Sequence, residues 1–588
     1  MDNQRQIATV GVLAVLACSV QVWMIDRAVV PAQDALRYLI VAQSMARDGL
    51  VATLGMQYEQ PLFPALVWLT HDSLAYLGLI SPADWAASLQ WSAAAPLVLA
   101  VWPLYFLLRR LHDPRSAVAG CLLFVFVGAM ARLGADGLSD STHLCLCLWA
   151  LWAISVYYMS ERHAGRSLLA AGLFCGLAML ARAEAIVLPV AFMATLVLMQ
   201  SRRCWRLPWA EAATAVLSLV AGMSFVLVSY LALCGALRPD AALERLLSRR
   251  GVVETEPLNV TVRGDAIGSA VEQRWYLDET GQLVFGRKDF ATSSRFHGIG
   301  AATGHLIAEL VKSLQYWIGA LALFGLWRRR RRTAGLIDRC RARAPGPPWR
   351  RRRRTAGLID RCRARAPGPP WRRRRRTAGP IDRFVQILCG LLISATWSIA
   401  VRNGYLSDRH LLLVIVFALG WAGVGAVELG EALAAVCRQR NSRVAPVAVR
   451  RAALAAVVLA CLPALARPLH ASRINHREAA AWLAEHARQD DVVLDSRGWT
   501  ALYTGRPTYR YEAAQAAFSH PRLAYVVVEQ AEMEMASRRG ETMRRLVAEA
   551  AEPVARFSVP GAKPQRDVVV HRWHPQRFRQ LGDRLYAR

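Results

Sequence analysis

Long apolar runs alternate with short polar breaks over most of this chain, and the runs are bilayer-sized. A helix rises about 1.5 Å per residue, so roughly 17–25 apolar residues cross the hydrocarbon core. About eleven runs meet that measure: 7–25, 87–108, 116–133, 141–159, 167–181, 184–200, 211–234, 306–326, 384–401, 411–432 and 450–467. The segment 62–80 is apolar too, but His71 and Asp72 break it, and it reads as a juxtamembrane or re-entrant piece. The first run lacks a small-residue cleavage site and reads as a retained span. Beyond 468 the pattern changes. Glu478–Ala487 has helical spacing with Trp482 and Leu483 inward, while Val492–Leu494, Tyr525–Val528 and Val568–Val570 are short β-branched runs. The pattern therefore predicts a polytopic α-helical membrane protein with a small C-terminal α/β domain.

Charge gives the predicted spans a direction. Of 588 residues 54% are hydrophobic, yet the formal net charge is +30. The two coexist if apolar runs sit in lipid and arginines in loops. The loops Arg109–Arg115, Glu161–Arg166, Ser201–Arg206, Trp327–Arg383 and Arg438–Arg451 are all basic, and turns such as Gly134–Asp140 are not. Cytoplasmic loops carry the excess of Lys and Arg. Eleven spans then put the N-terminus inside and the C-terminal domain outside; a twelfth span at 62–80 would break the alternation. Residues 328–383 hold 22 Arg and 3 Asp, so 19 of the 30 positive charges are local to one inner loop. That concentration argues for a topology signal beside the bilayer and against nucleic-acid binding.

The same loop contains a repeat. Trp followed by five Arg and Thr-Ala-Gly begins at Trp327, Trp349 and Trp371, a period of 22. A repeat so poor in apolar residues cannot build a core, so a disordered cytoplasmic loop is expected. On the other side, a large outward loop at about 235–305 carries a formal glycosylation acceptor at Asn259 and a weak alternation over Glu272–Phe290 that could form a hairpin. The twelve cysteines include no Cys-x-x-Cys pair, and none follows Cys461, so no zinc site or disulfide framework is indicated. The resulting divisions are 1–326, a membrane module with outer loops; 327–383, the basic loop; 384–467, the remaining spans; and 468–588, the outer domain.

Candidate chemistry gathers on one predicted face. Asp34 and Arg37 follow the first run, Glu59 lies in Tyr58-Glu59-Gln60-Pro61, and Asp136 and Asp140 flank an outer turn. Arg182 and Glu184 interrupt the apolar sequence between the fifth and sixth runs, and Tyr405, Asp408, Arg409 and His410 precede the tenth. Ionisable groups at membrane depth are costly and point to function. A carboxylate can take a proton from an attacking hydroxyl. A guanidinium can pair with a phosphate and stabilise charge developing on it. Plainer readings exist. Ser139-Asp140-Ser141 is good helix N-cap chemistry, Arg182 and Glu184 could simply close a helix break, Arg409 and His410 could anchor the interface, and Asp34 and Glu59 could be solvated loop acids.

Over residues 1–470 the chain resembles the GT-C class of polyprenyl-phosphate-sugar-dependent glycosyltransferases, in the branch of protein mannosyltransferases, aminoarabinose lipid A transferases and rhizobial galacturonosyltransferases. The resemblance rests on Asp34-Ala-Leu-Arg-Tyr38, Tyr58-Glu59-Gln60-Pro61-Leu62-Phe63-Pro64, Leu138-Ser139-Asp140, Gly176 to Glu184, and Ser407-Asp408-Arg409-His410. It implies a GT-C-like fold and inverting transfer of a sugar from a polyprenyl-phosphate donor to a glycan, lipid or protein acceptor. Asp34 is then the general base and Asp140 the second acid, with Arg182, Arg409 and Arg37 as phosphate ligands. Glu59, Glu184, Tyr405 and His410 are further substrate or metal candidates, and the cofactor stays open, with a divalent metal ion as one option. Two departures stand out: Ala35 follows Asp34 where an acid is common, and Gln60 replaces a phosphate-contacting lysine. The implied location is a multi-pass protein of the inner (plasma) membrane with an extracytoplasmic site. The competing classes are a lipid or sugar transporter and a non-catalytic scaffold for the C-terminal domain.

Overall fold

The computed structural model describes residues 2–56, 60–81, 84–159, 164–201, 208–234, 273–277, 283–287, 299–342, 379–403, 407–440, 444–510, 517–518, 520–534, 538–559, 561 and 566–586. After α1 (Asp2–Asp26) come three short helices, α2 (Ala35–Asp48), α3 (Leu50–Met56) and α4 (Leu62–Tyr76). The bundle continues with α5 (Trp85–Leu111), α6 (Pro114–Phe126), α7 (Gly128–Ala135), α8 (Ser139–Tyr157), α9 (Ala164–Ala181), α10 (Val187–Ser201) and α11 (Trp209–Cys234). It closes with α12 (Ile299–Ser313), α13 (Trp317–Ala342), α14 (Gly379–Asn403), α15 (Leu412–Gln439) and α16 (Pro446–Leu459). A hairpin of β1 (Gln273–Leu277) and β2 (Leu283–Arg287) pairs antiparallel, within the stretch whose alternation predicts it. Asn259 and residues 343–378 of the basic repeat lie outside the described residues.

Among the described residues seven helices are long and apolar enough to cross a membrane, or nine if each of two bent pairs is one span. The expected eleven also include α8, whose first turn carries Asp140, and the shorter α9. At 15 residues, α4 falls short of a span, in keeping with the juxtamembrane reading of 62–80. The expected straight span 306–326 is instead broken: α12 and α13 meet at 95°, with Gln315 and Tyr316 at φ 50° and 54° in the joint. Hydropathy cannot see such a break, because apolar residues continue on both sides of it. The basic stretch also begins helical, contrary to the disorder expected from 327 onward. Arginine propagates a helix well once it is nucleated, and α13 runs from Trp317 through the first arginine cluster.

Burial separates the bundle's centre from its rim. In the span beginning at Arg409, 72% of the apolar window is buried, against 11% in α11. Near the far end of α15, about 30 Å from Arg409, arginines pair with acids: Arg328 with Glu428 at 3.3 Å, Arg329 with Asp382 at 2.9 Å, and Arg450 with Glu431 at 2.9 Å. The interface of α9 with α11 depends on bare backbone. A Cβ on Gly172 would strike the Leu219 carbonyl, and one on Gly222 the Leu169 carbonyl. Close approach through small residues is how membrane helices gain packing energy without a hydrophobic driving force. Gly172→Ala is expected to cost about 1–3 kcal/mol, read as a lower unfolding temperature in detergent; an unchanged temperature would contradict this packing.

The C-terminal domain is a mixed sheet with helices. Its elements are α17 (Ile474–His486), β3 (Val492–Asp495), α18 (Trp499–Thr504), β4 (Thr508–Arg510), β5 (Leu523–Glu529), α19 (Arg538–Ala550), β6 (Ala551–Phe557), β7 (Val568–Trp573) and α20 (Pro575–Tyr586). The strand order is β4-β3-β5-β7-β6, with β3 parallel to β4 and β5, and β7 antiparallel to β5 and β6. The three strands legible in the sequence are the interior ones, β3, β5 and β7. Strands covered on both faces read as continuous apolar runs. The edges β4 and β6 were hidden by polar residues and Pro553, the usual protection of an edge. As predicted, Leu483 is buried, with Trp482 packed beside it.

Candidate active site

Three breaks in helical structure, together with the 3₁₀ turn Asp408–Leu411 that leads into α15 and carries Arg409, build the site. The first follows α1, where Asp34 sits at the N-cap position of α2 but makes no side-chain cap hydrogen bond, leaving its carboxylate free for another partner. The second lies between α7 and α8. Gly137 turns the chain at φ +69°, and a Cβ there would meet Leu89 at 2.8 Å, so the tight turn needs glycine. It delivers Ser139 and Asp140 into the bundle. The third is at Arg182, whose extended backbone (φ −160°) stops α9 before a single 3₁₀ turn leads into α10.

These breaks bring five of the candidate residues into one ladder of alternating charge. Asp34 Oδ2 accepts from Arg409 Nη2 at 2.7 Å. Arg409 Nη1 stands 3.8 Å from Asp140 Oδ2. Arg182 donates to Asp140 Oδ1, and its other arm lies 3.0 Å from Glu184 Oε1. Asp140 at the middle of the ladder is 2% exposed, against 55% for Asp34 at one end and 39% for Glu184 at the other, so Asp34 is the more open end. At that end a cavity of about 290 Å³ is lined by Gln33, Asp34, Arg132, Asp136, Leu138 and Arg409, with Ala32 and Leu133. Partial burial pushes the Asp34 pKa up, but the Arg409 guanidinium outweighs it, with lesser help from Arg37 and Arg510, and holds the carboxyl below its usual range.

The N-cap reading of Asp140 fails. The N-cap of α8 is Leu138, and the Asp140 carboxylate is committed to arginines. Ser139 instead meets the Tyr38 hydroxyl at 2.9 Å. Arg37 is exposed on α2 and reaches Asp34 only through its charge. His410 is turned toward its own loop, its Nδ1 3.3 Å from the Ser407 carbonyl oxygen. Glu59 and Tyr405 lie outside the described residues. Asp136, grouped with the outer acids by sequence, is 2.9 Å from His470 Nε2. Arg132 was missed; its spacing of four from Asp136 on one helix face was the available signal. Among the described residues no three His, Cys, Asp or Glu side chains converge as a metal site. Arginines take the places a cation would fill beside Asp34 and Asp140, so those residues do not fit a divalent ion.

Residues 79–227 match the family described as dolichyl-phosphate-mannose-protein mannosyltransferase. The structure of ArnT from Cupriavidus metallidurans bound to undecaprenyl phosphate is similar over 96% of this chain and 97% of its own, at 15% identity and a TM-score of 0.50. The chain has the fold of the GT-C membrane glycosyltransferases. Archaeal oligosaccharyltransferase AglB from Archaeoglobus fulgidus, solved with an inhibitory peptide and a dolichol-phosphate, aligns with 95% of the chain and 74% of its own length at 12% identity and a TM-score of 0.48. No curated protein matches the chain. The sequence-level resemblance thus holds for the fold, with the family segment running from before α5 into α11.

Proposed function

We propose that the protein transfers a sugar from a polyprenyl-phosphate donor to an acceptor hydroxyl outside the cytoplasm, with inversion and with Asp34 as general base. The observation that carries this reading is the ladder Asp34–Arg409–Asp140–Arg182–Glu184 ending at an open cavity. The chemistry follows from its charges. The donor is an anion; Arg409 and Arg132 are both partly exposed cations at the cavity wall, and Arg409 is the one paired with Asp34. A phosphate placed there competes with Asp34 for Arg409. The acceptor oxygen attacks the anomeric carbon while its proton passes to Asp34. The anomeric C–O bond breaks, its electron pair goes to the phosphate oxygen, and Arg409 meets the charge that develops. Polyprenyl phosphate leaves, and the opposite-face attack inverts the anomeric centre.

Asp140 and Arg182 hold Arg409 in place, and Glu184 gives Arg182 a second carboxylate beside Asp140. The arginine-rich end of the bundle, at the other end of α15, supports an inward assignment for that end and an outward one for the site. The reactive groups also sit at helix ends; a transporter would favour broken helices at half depth.

The competition for Arg409 has a signature in pH. In the free enzyme the Asp34 pKa is lowered, so kcat/KM should hold to acidic pH and fall only as the pH drops through that lowered value. With donor bound, Arg409 is shared with phosphate and the Asp34 pKa rises. The acid limb of kcat, which reports the bound complex, should therefore lie at higher pH than the limb of kcat/KM. Coincident limbs in a pH–rate profile would contradict the exchange.

A further inference from the structure

The C-terminal domain is seated on the segment that carries Asp34. The Trp499 indole Nε1–H donates to the Pro31 carbonyl at 3.1 Å, and the Tyr503 hydroxyl donates to the Val29 carbonyl at 3.3 Å. Arg497 Nη1 donates to Gln33 Oε1 at 3.3 Å. Val29 N–H donates to the Leu469 carbonyl at 3.1 Å. Trp499 and Leu502 share one buried apolar cluster with Val30, Leu36 and Leu39. Every residue from Val29 to Gln33 except Ala32 is thus held by the C-terminal part of the chain, and the Ala32 N–H donates to Asp136, the partner of His470.

The holding side is rigid. Asp495 is fully buried at the end of β3, and its two oxygens accept from the Arg497 and Thr500 N–H groups at 2.8 Å each, fixing the turn into α18. Arg497 is locked by Glu529 at 2.7 Å and Glu532 at 3.3 Å, both nearly fully buried. Such a charge network costs too much to be left half made, so the Arg497 guanidinium has one place to be. Arg510, packed against Gly498, adds positive charge at Asp34.

We propose that the C-terminal domain is a working part of the transfer site, with the β3–α18 turn fixing Val29–Asp34 and Arg497 acting through Gln33 as a positioning residue for Asp34. This rests on Asp34 being the base. Positioning matters because displacing a reacting group by about 1 Å can cost on the order of a hundredfold in rate.

The test uses the full chain reconstituted in liposomes. Arg497→Ala would take a cation from two buried carboxylates, of which Glu529 keeps Arg473, and could unfold the domain, so gentler changes are needed. Trp499→Phe combined with Tyr503→Phe keeps an aromatic ring at each position and removes the two hydrogen bonds, with a smaller side chain at buried Trp499. Gln33→Ala cuts the Arg497 link and leaves the Glu529 and Glu532 pairs intact. Each variant is expected to lower kcat per folded protein about tenfold or more, with donor KM within about twofold. Gln33→Ala combined with Arg497→Lys should lose no more than the worse single variant, because both act through one contact. Wild-type kcat in the hydrogen-bond variants overturns the proposal, as do additive losses for the second pair. Asp34→Asn, run alongside, separates the two readings. If it keeps full activity, the base assignment falls; if it is dead while the positioning variants turn over normally, only the role of the domain falls.

Discussion

Replacing Asp34 with asparagine is expected to lower sugar transfer by about two to four orders of magnitude while leaving protein abundance and unfolding temperature unchanged. The substitution is nearly isosteric, and the carboxylate takes no part in a helix cap. It is half exposed, so no buried charge is stranded beyond Arg409, which keeps Asp140 within 3.8 Å. What disappears is the capacity to accept a proton from the incoming hydroxyl. Donor KM should stay level or fall, because Arg409 no longer has to be drawn from a carboxylate before meeting phosphate. Initial rates across donor concentrations measure both quantities. A variant with wild-type kcat would remove Asp34 from the chemistry.

Loss of Arg182 should act first on stability. Asp140 is almost wholly buried and accepts a hydrogen bond from Arg182. Arg182→Ala leaves that carboxylate with only the longer contact to Arg409, and breaking a buried pair from one side typically costs about 3–5 kcal/mol. The unfolding temperature in detergent should drop steeply, and transfer should fall with it. Replacing both partners, as Asp140→Asn with Arg182→Met, should regain most of the stability, since the buried Asp140 charge is removed and Glu184, which also loses Arg182, is 39% exposed. Transfer should stay lost, because Arg409 has lost the acid that holds it. If Arg182→Ala unfolds at the wild-type temperature, the ladder is not the buried support described above.

Much of this site was legible one residue at a time. Asp34, Asp140, Arg182, Glu184 and Arg409 stood out because charge at the ends of apolar runs is expensive, and that cost does not depend on knowing the fold. Their pairing was not legible. Asp34 and Arg409 are 375 residues apart in sequence, and only the crossing of α2, α8 and the start of α15 brings them together. Local propensity was misleading at Ser139-Asp140-Ser141, where cap chemistry competes with a long-range ion pair and loses. Gln33 and Arg497 gave no signal because each is an ordinary polar residue until its partner is known. The break at Gln315–Tyr316 was invisible for a related reason: hydropathy sums composition, whereas a 95° bend resides in two backbone angles.

The most direct test of the central claim follows the donor. The full chain, in liposomes with a membrane extract as the source of acceptor, is given a panel of undecaprenyl-phosphate-linked sugars, and release of undecaprenyl phosphate is measured. At least one donor is expected to be consumed by the wild-type protein and spared by Asp34→Asn. Consumption at equal rates by both proteins, or of no donor by the wild type, would contradict the account.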